Sequence, residues 1–384
     1  MKIILLLIFW CLWFLNFSTR SVFSPLLPII EDELVISHAL AGSLFFYISI
    51  GFTITVFMTG QISKAIGYKR SIMASLSVLV LVLISLRFAD AYLHYAIIAF
   101  FIGIGSGIYL PCAIPLITSI FSRDNWGKVI GFHETAASTS FLAIPILVAF
   151  ILRFYHWKSV FLMMSGAFFV TFILFWTLIP DTRPQAEKKA GYLSILYRKD
   201  FWIITLIWTM ASMSTAGIYS ITPLYLVKEK GMTLEFANTV FGISRIGGLA
   251  ATILTGFMID RFDTKKILIL IILVTGLSTI GISLAPVFGL LVSMLVVQAT
   301  ISVTFFPTAI MTISKLTPLE ERGTFMGMTL AIASTCGAGM SPVALGFVAD
   351  RWSFGIGILV MGILTAFSSV FIRKLSASGN KDSN

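Results

Sequence analysis

The sequence predicts an all-α membrane protein, with twelve transmembrane helices in two six-helix pseudo-repeats. Three observations predict it. Of 384 residues, 58% are hydrophobic and only 11% are charged, against about 25% charged and about 45–50% apolar in soluble domains. Twelve runs are apolar over a length that suits a bilayer-crossing helix, about 20 residues. One internal offset relates the first half of the chain to the second. This composition excludes a water-soluble enzyme, a disordered chain and a coiled coil.

The runs follow in order. The first, 3–29, opens at Lys2 like a signal peptide, but Asn16-Phe-Ser-Thr-Arg20 stands where a small-residue cleavage site would be, so it stays a helix. The second, 39–63, ends at a loop holding Lys64, Lys69 and Arg70, and the third is 71–88. The fourth, 93–120, precedes Arg123 and Lys128; the fifth and sixth are 128–152 and 158–179. A hydrophilic segment, 180–200, then separates an N-terminal half, 1–179, from a C-terminal half, 201–384. The seventh run, 201–227, precedes Lys228 and Lys230, and the eighth, 236–259, precedes Arg261, Lys265 and Lys266. The ninth, 267–285, is divided from the tenth, 288–314, by Pro286 and Gly289; the last two are 324–348 and 355–372.

The net charge of +10 has a topological reading. With the N-terminus inside, most of the 27 basic residues fall in inside loops, so the positive-inside rule places both termini in the cytoplasm. Nucleic acid is not needed as a partner. Cys11, Cys112 and Cys336 all lie in apolar runs, with no disulfide framework or zinc spacing.

An offset of 196 residues recurs without a gap. Gly60 matches Gly256, Pro111 matches Pro307, Gly127 matches Gly323, and Gly131 matches Gly327. Ala137-Ser138 matches Ala333-Ser334, and Lys69-Arg70 matches Lys265-Lys266. Parallel six-helix repeats with a site at the midplane between them form a transporter architecture.

These residues resemble the major facilitator superfamily over essentially the whole chain. The loop Gly60–Arg70, GQISKAIGYKR, is similar to the family's G-x-L-a-D-R-x-G-r-k, and GFMIDRFDTKK keeps Gly256, Asp260 and Arg261. GFVADR, Gly346 to Arg351, and HWKSVF, His156 to Phe161, add further echoes. The resemblance implies a cytoplasmic latch of Gly60, Lys64, Arg70, Gly256, Asp260 and Arg261. Lys64 stands where the family has Asp, so only the second latch is expected to be complete. A glycine there lets a neighbouring helix approach, and the aspartate can cap an adjacent terminus. The segment IIAFFIGIGSG has no cation and Pro145 no preceding glycine, unlike drug exporters of the family.

Three ionisable residues other than histidine sit within spans: Arg20, Glu134 and Arg245. Such residues are costly and usually line an aqueous cavity. Helical rise puts Arg245 about 21 Å and Arg20 about 25 Å from the inner ends of their helices. Two cations facing one cavity repel unless an anion lies between them, so the expectation is an anion site. The bland alternatives are that Arg20 snorkels to headgroups and that Arg245 neutralises a helix terminus. Glu134 is the candidate proton carrier beside His133, or else half of an interfacial Glu-His pair. Asn16, Tyr219 and Gln298 are weaker substrate-binding candidates, equally readable as packing hydrogen bonds. The acidic run Glu31-Asp32-Glu33 reads as a solvated loop.

The expected function is proton-coupled secondary transport of a small organic anion, a carboxylate, by alternating access across the inner membrane. The chain is expected to act as a monomer without cofactor or metal, and no nucleophile–base set makes it an enzyme. An exporter of amphiphilic compounds and a transporter-like sensor are the alternatives; short termini without a signalling domain speak against the sensor. The topology is testable directly. Cysteine in place of Gln185 is expected to react with a membrane-impermeant maleimide only after the cells are opened. Labelling in intact cells would reverse the orientation.

Overall fold

The computed structural model describes residues 2–180 and 192–375. Of the expected linker, 181–191 lies outside the described residues, and so does 376–384. All regular structure among the described residues is helical. Among the described residues, eleven helices are long and apolar enough to cross a membrane: Lys2–Leu34, His38–Ile66, Tyr68–Phe88, Tyr92–Ile120, Arg123–Ile151, Lys158–Leu178, Lys199–Lys228, Thr264–Leu284, Phe288–Leu316, Glu321–Arg351 and Phe354–Ile372. The eighth expected span is instead two shorter helices, Leu234–Ile243 and Gly247–Arg261.

The chain forms two compact units, one of Met1–Ala186 with Ser220–Ile243, the other of Glu187–Tyr219 with Ser244–Asn384. In the first unit, the second and fourth spans touch backbone to backbone. A Cβ on Gly51 would overlap the Phe100 carbonyl, and one on Gly103 would overlap the Ile48 carbonyl. Phe9, Phe23, Tyr95, Tyr109, Phe161, Phe168 and Phe175 fill the space between its helices. In the second unit the ninth and twelfth spans meet in the same way, with a Gly276 Cβ placed 2.5 Å from the Ala366 nitrogen. Small residues let helices gain van der Waals contact where lipid removes any hydrophobic drive to associate.

The 196-residue offset reappears as backbone. The fourth span breaks at Ile108, between Tyr92–Gly107 and Tyr109–Ile120. The tenth breaks at Val303–Thr304, between Phe288–Ser302 and Phe305–Leu316. Pro111 and Pro307 follow each break, and each lacks the N–H that would bond the carbonyl four residues back. The paired lysines also act alike. Lys69 Nζ donates to the Trp176 carbonyl at 2.7 Å, and Lys265 Nζ donates to the Leu375 carbonyl at 2.8 Å. Both put a cation on carbonyls at a helix C-terminus.

One expectation is corrected. A Cβ on Gly256 would meet nothing within 4 Å, so this glycine does not serve close helix approach among the described residues. A carboxylate that caps the ninth span is Asp263, which accepts from the Lys265 and Lys266 backbone N–H groups at 2.7 and 3.4 Å. Of Asp260 only its place in Gly247–Arg261 is described. Lys64, Arg70 and Arg261 are exposed.

The acidic run Glu31-Asp32-Glu33 is the helical end of the first span rather than a loop. Glu31 is buried, with His38 Nδ1 2.7 Å away and Lys228 Nζ 3.4 Å away; Lys228 also bonds Asp32. Glu33 accepts from Trp157 Nε1 at 2.6 Å and pairs with Lys158 at 3.3 Å.

The second–fourth span contact is expected to be intolerant. Gly103→Ala forces two backbones apart and is expected to cost about 1–3 kcal/mol, as overpacking does. Gly127→Ala, which would meet nothing within 4 Å, is the matched control. Thermal unfolding of the purified protein, followed by a thiol dye at buried Cys112, compares them. Equal melting temperatures would refute the close contact.

Candidate functional sites within the two units

The first span is interrupted at Val22, between helices Lys2–Ser21 and Phe23–Leu34. Pro25 lies just beyond, and its missing N–H weakens the ladder back to Ser21. Arg20 occupies the last turn before this break. Its guanidinium carbon lies 4.3 Å from the Phe17 ring centre and 4.8 Å from that of Phe52. Nε and Nη2 are buried, and neither has a hydrogen-bond partner among the described residues. The two phenyl rings supply cation–π attraction but no acceptor for these N–H groups. Asn16, one turn earlier, donates Nδ2 to the Ser106 carbonyl at 3.1 Å, while its Oδ1 has no partner among the described residues. Asn16 therefore anchors the first span to the fourth. What remains at Arg20 is a buried donor pair suited to a carboxylate or phosphate oxygen.

A second cluster in the same unit surrounds His133 on the fifth span. The ring is fully buried, stacked 5.6 Å from Trp13 and 5.9 Å from Tyr109. Nδ1 lies 3.1 Å from Glu134 Oε1, and Nε2 lies 3.1 Å from the Tyr109 hydroxyl. That hydroxyl donates to the Phe9 carbonyl at 2.7 Å. Glu134 also accepts from Trp13 Nε1 at 3.4 Å, and its side chain keeps 47% of its surface exposed. The structure thus brings His133 and Glu134 together and adds Tyr109 and Trp13. Sequence reasoning missed both, because an aromatic residue in an apolar run carries no local mark of a polar bond.

The eighth span is broken at Ser244-Arg245-Ile246, where Leu234–Ile243 of the first unit ends and the second unit resumes, and buried Arg245, of the second unit, sits in the break. Its guanidinium carbon is 4.9 Å from the centre of the buried Tyr219 ring. Gly247 and Gly248 follow at once; a Cβ on Gly247 would collide with Thr300 of the tenth span. Gly247-Gly248 was the available signal for this break, masked by unbroken hydropathy. The seventh span holds a π-helical turn, Met213–Gly217, just before Tyr219. Gln298 Nε2 donates to the Ser214 carbonyl inside that turn. Gln298 is therefore a packing bond that secures irregular backbone, and its Oε1 has no partner among the described residues. A second π-helical segment, Ala333–Gly339, lies in the eleventh span. Such turns concentrate at functional sites, and discontinuous helices are where transporters bind substrate.

Comparison with known proteins agrees with this architecture. A family profile described as Major Facilitator Superfamily matches residues 9–333 and, overlapping it, 231–384. The chain is 21% identical to the hexuronate transporter of Bacillus subtilis, over 93% of this chain and 90% of that one. It is 23% identical to the cis,cis-muconate transport protein of Acinetobacter baylyi, over 90% and 88%. It is 24% identical to the membrane sensor protein UhpC of Escherichia coli, over 96% and 90%. Among solved structures, a D-xylose–proton symporter superposes with a TM-score of 0.83 at 17% identity, covering 97% of this chain and 98% of that one.

The break at Arg245 depends on a close approach that can be tested. Gly247→Ala is expected to displace the tenth span and lower the melting temperature. Adding Thr300→Ala, which removes the two nearest atoms, is expected to restore it. Additive losses in the double variant would show that the two positions are uncoupled.

Proposed function

The chain belongs to the Major Facilitator Superfamily, and on that premise we propose that this multi-pass membrane transporter moves a small organic carboxylate, coupled to protons, by alternating access. Its membership makes it a transporter and not an enzyme. The observation that carries the carboxylate reading is Arg20. An arginine held inside a span, with two buried donor nitrogens and no acceptor among the described residues, is costly unless an anion completes it. A carboxylate is a small group whose oxygens match the planar fork, as a phosphate's also do; the carboxylate is favoured here by the relatives named below.

Two further features support the reading. Arg245 is a second buried arginine in the other unit, at a helix break. The hexuronate and muconate relatives are named for carboxylate substrates. We assign proton coupling to Glu134 with His133, the plasma membrane as location, cytoplasmic sides to both termini, and the monomer as the working state. The sensor relative supports a second reading, in which the chain binds such an anion without moving it.

Uptake into proteoliposomes with labelled glucuronate and muconate separates these readings. Arg20→Lys keeps the charge but loses the fork, and Arg20→Gln loses both. Each is expected to reduce uptake about tenfold or more, the worth of one hydrogen bond to a charged group. Arg245→Lys tests the second arginine in the same assay. Wild-type uptake by Arg20→Gln would sink the carboxylate reading. A ligand-induced rise in melting temperature without uptake would favour the sensor, and strong competition by uncharged compounds would favour an exporter of amphiphiles.

A further inference from the structure

Resting on the proton-coupled reading above, we propose that His133 and Glu134 form a one-proton latch, and that Tyr109 is the positioning residue that makes it so. The argument is a count of hydrogens. The Phe9 carbonyl can only accept, so the single hydrogen of the Tyr109 hydroxyl lies on that 2.7 Å bond. His133 Nε2, 3.1 Å from the same hydroxyl oxygen, must then be the donor and carry a hydrogen. A neutral imidazole with its hydrogen on Nε2 has a bare lone pair on Nδ1. That lone pair would face Glu134 Oε1 at 3.1 Å. An ionised carboxylate and a bare nitrogen repel at this distance. The pair closes only when one additional proton lies between them, as imidazolium with carboxylate or as imidazole with carboxylic acid. Both arrangements have zero net charge and one shared proton.

Loss of that proton leaves two acceptors facing each other and a net charge of −1. The ring cannot move readily, because it is fully buried and packed against Trp13 and Tyr109, which also touch each other. Glu134 can, because nearly half of its side chain is exposed. Deprotonation therefore releases the carboxylate from the ring, and reprotonation draws it back; the exchanged proton enters and leaves through Glu134 to water. Apart from Arg20, two helical turns along the first span from Trp13, the surroundings named here hold no unpaired charge. The first span presents Phe9 and Trp13, with the Cys11 thiol near Tyr109. The fourth presents Tyr109 itself, and both of these titratable groups are neutral at pH 7 by their ordinary values. Glu235 and Glu31, on other elements packed against the fifth span, are paired with Arg153 and Lys228 at its far end.

The latch also has a place in substrate coupling. Trp13, which holds both Glu134 and the His133 ring, is seven residues before Arg20 on the same helix. That spacing puts the two on one face, about 10 Å apart. An unprotonated latch therefore places a negative charge near the arginine's anion, and a protonated latch does not. Proton and anion then favour each other's binding reciprocally.

The test needs no substrate. The full chain, labelled with 15N-histidine and held in lipid nanodiscs, is titrated by NMR between about pH 5 and pH 9, the range over which histidine commonly changes charge. The chain has four histidines, and the spectrum of His133→Gln identifies the His133 signals. The wild type is expected to keep Nε2 protonated throughout, with Nδ1 showing a closed hydrogen bond to Glu134 at low pH and a bare nitrogen once the shared proton is lost. In Tyr109→Phe nothing holds the hydrogen on Nε2, so the neutral ring is expected to switch to the Nδ1–H form that bonds ionised Glu134. In Glu134→Gln the side-chain amide can donate to bare Nδ1, so the neutral Nε2–H ring is expected to keep that bond at the pH where the wild-type nitrogen is bare. A wild-type ring that is neutral with hydrogen on Nδ1, or that stays doubly protonated across the range, would overturn the latch. So would a bare Nδ1 in Glu134→Gln at that pH, which decides the matter even if Tyr109→Phe does not fold. Failure of carboxylate uptake would remove the transport reading but leave this titration unaffected.

Discussion

The structure turns on one energetic constraint: a charge in an apolar span must be neutralised, hydrated or used. Most charges here are placed where the first two solutions apply. Glu31, buried at the end of the first span, has His38 and Lys228 beside it. Glu33 has Lys158 and the Trp157 indole. Lys69 and Lys265 reach helix-terminal carbonyls. Arg20 differs, because its close neighbours are the faces of two phenyl rings. Aromatic faces attract a cation but leave in-plane N–H groups unsatisfied. On the proposed reading, the acceptor for those N–H groups comes from outside the chain.

Keeping such an element open requires backbone that departs from a straight helix. Irregular backbone in a membrane is tolerated where protein buries it or where it lines a water-filled cavity. The departures in this chain gather around the same few residues. The first span breaks two residues after Arg20, and the eighth breaks at Arg245. The seventh carries its π-helical turn two residues before Tyr219. Each departure has a compensating contact within its unit. Asn16 ties the first span to the fourth, Gln298 bonds the π-helical turn, and Thr300 packs against Gly247. The weaker candidates from the sequence therefore hold the backbone in place beside the arginines.

What the sequence made legible follows from how local each signal is. Hydropathy located the spans because a single helix must satisfy its own backbone in lipid. The 196-residue offset anticipated matched breaks near Ile108 and Thr304, because proline acts on its own helix. Lys64 and Gly256 were readable as family motif but not as contacts; a Cβ on Gly256 would meet nothing within 4 Å. Asp263 caps the ninth span, three residues after the aspartate that the motif suggested. The pairing of Glu31 with Lys228 spans almost two hundred residues, so an acidic run at a helix end looked like a solvated loop. Tyr109 was invisible for a similar reason. Its meaning lies in a carbonyl one hundred residues earlier and in a histidine on another span.

On the proposed reading, the anion site at Arg20 and the proton site at His133 and Glu134 are linked by the first span, which touches both. If the two shared atoms, one ligand would exclude the other, or the proton would be held too tightly to leave. At about 10 Å, the helical spacing of Trp13 from Arg20, unit charges would interact by about 1–2 kcal/mol at an effective dielectric near 20. That lies within the usual range of about 1–3 kcal/mol for coupled sites. It is enough to shift affinity roughly tenfold while each ligand can still dissociate. The exposure of Glu134 matters here, because a fully buried carboxylate would exchange its proton with difficulty. In that proposal the first span, with Trp13 touching one site and Arg20 forming the other, would let the two ligands sense each other while their chemistry stays separate.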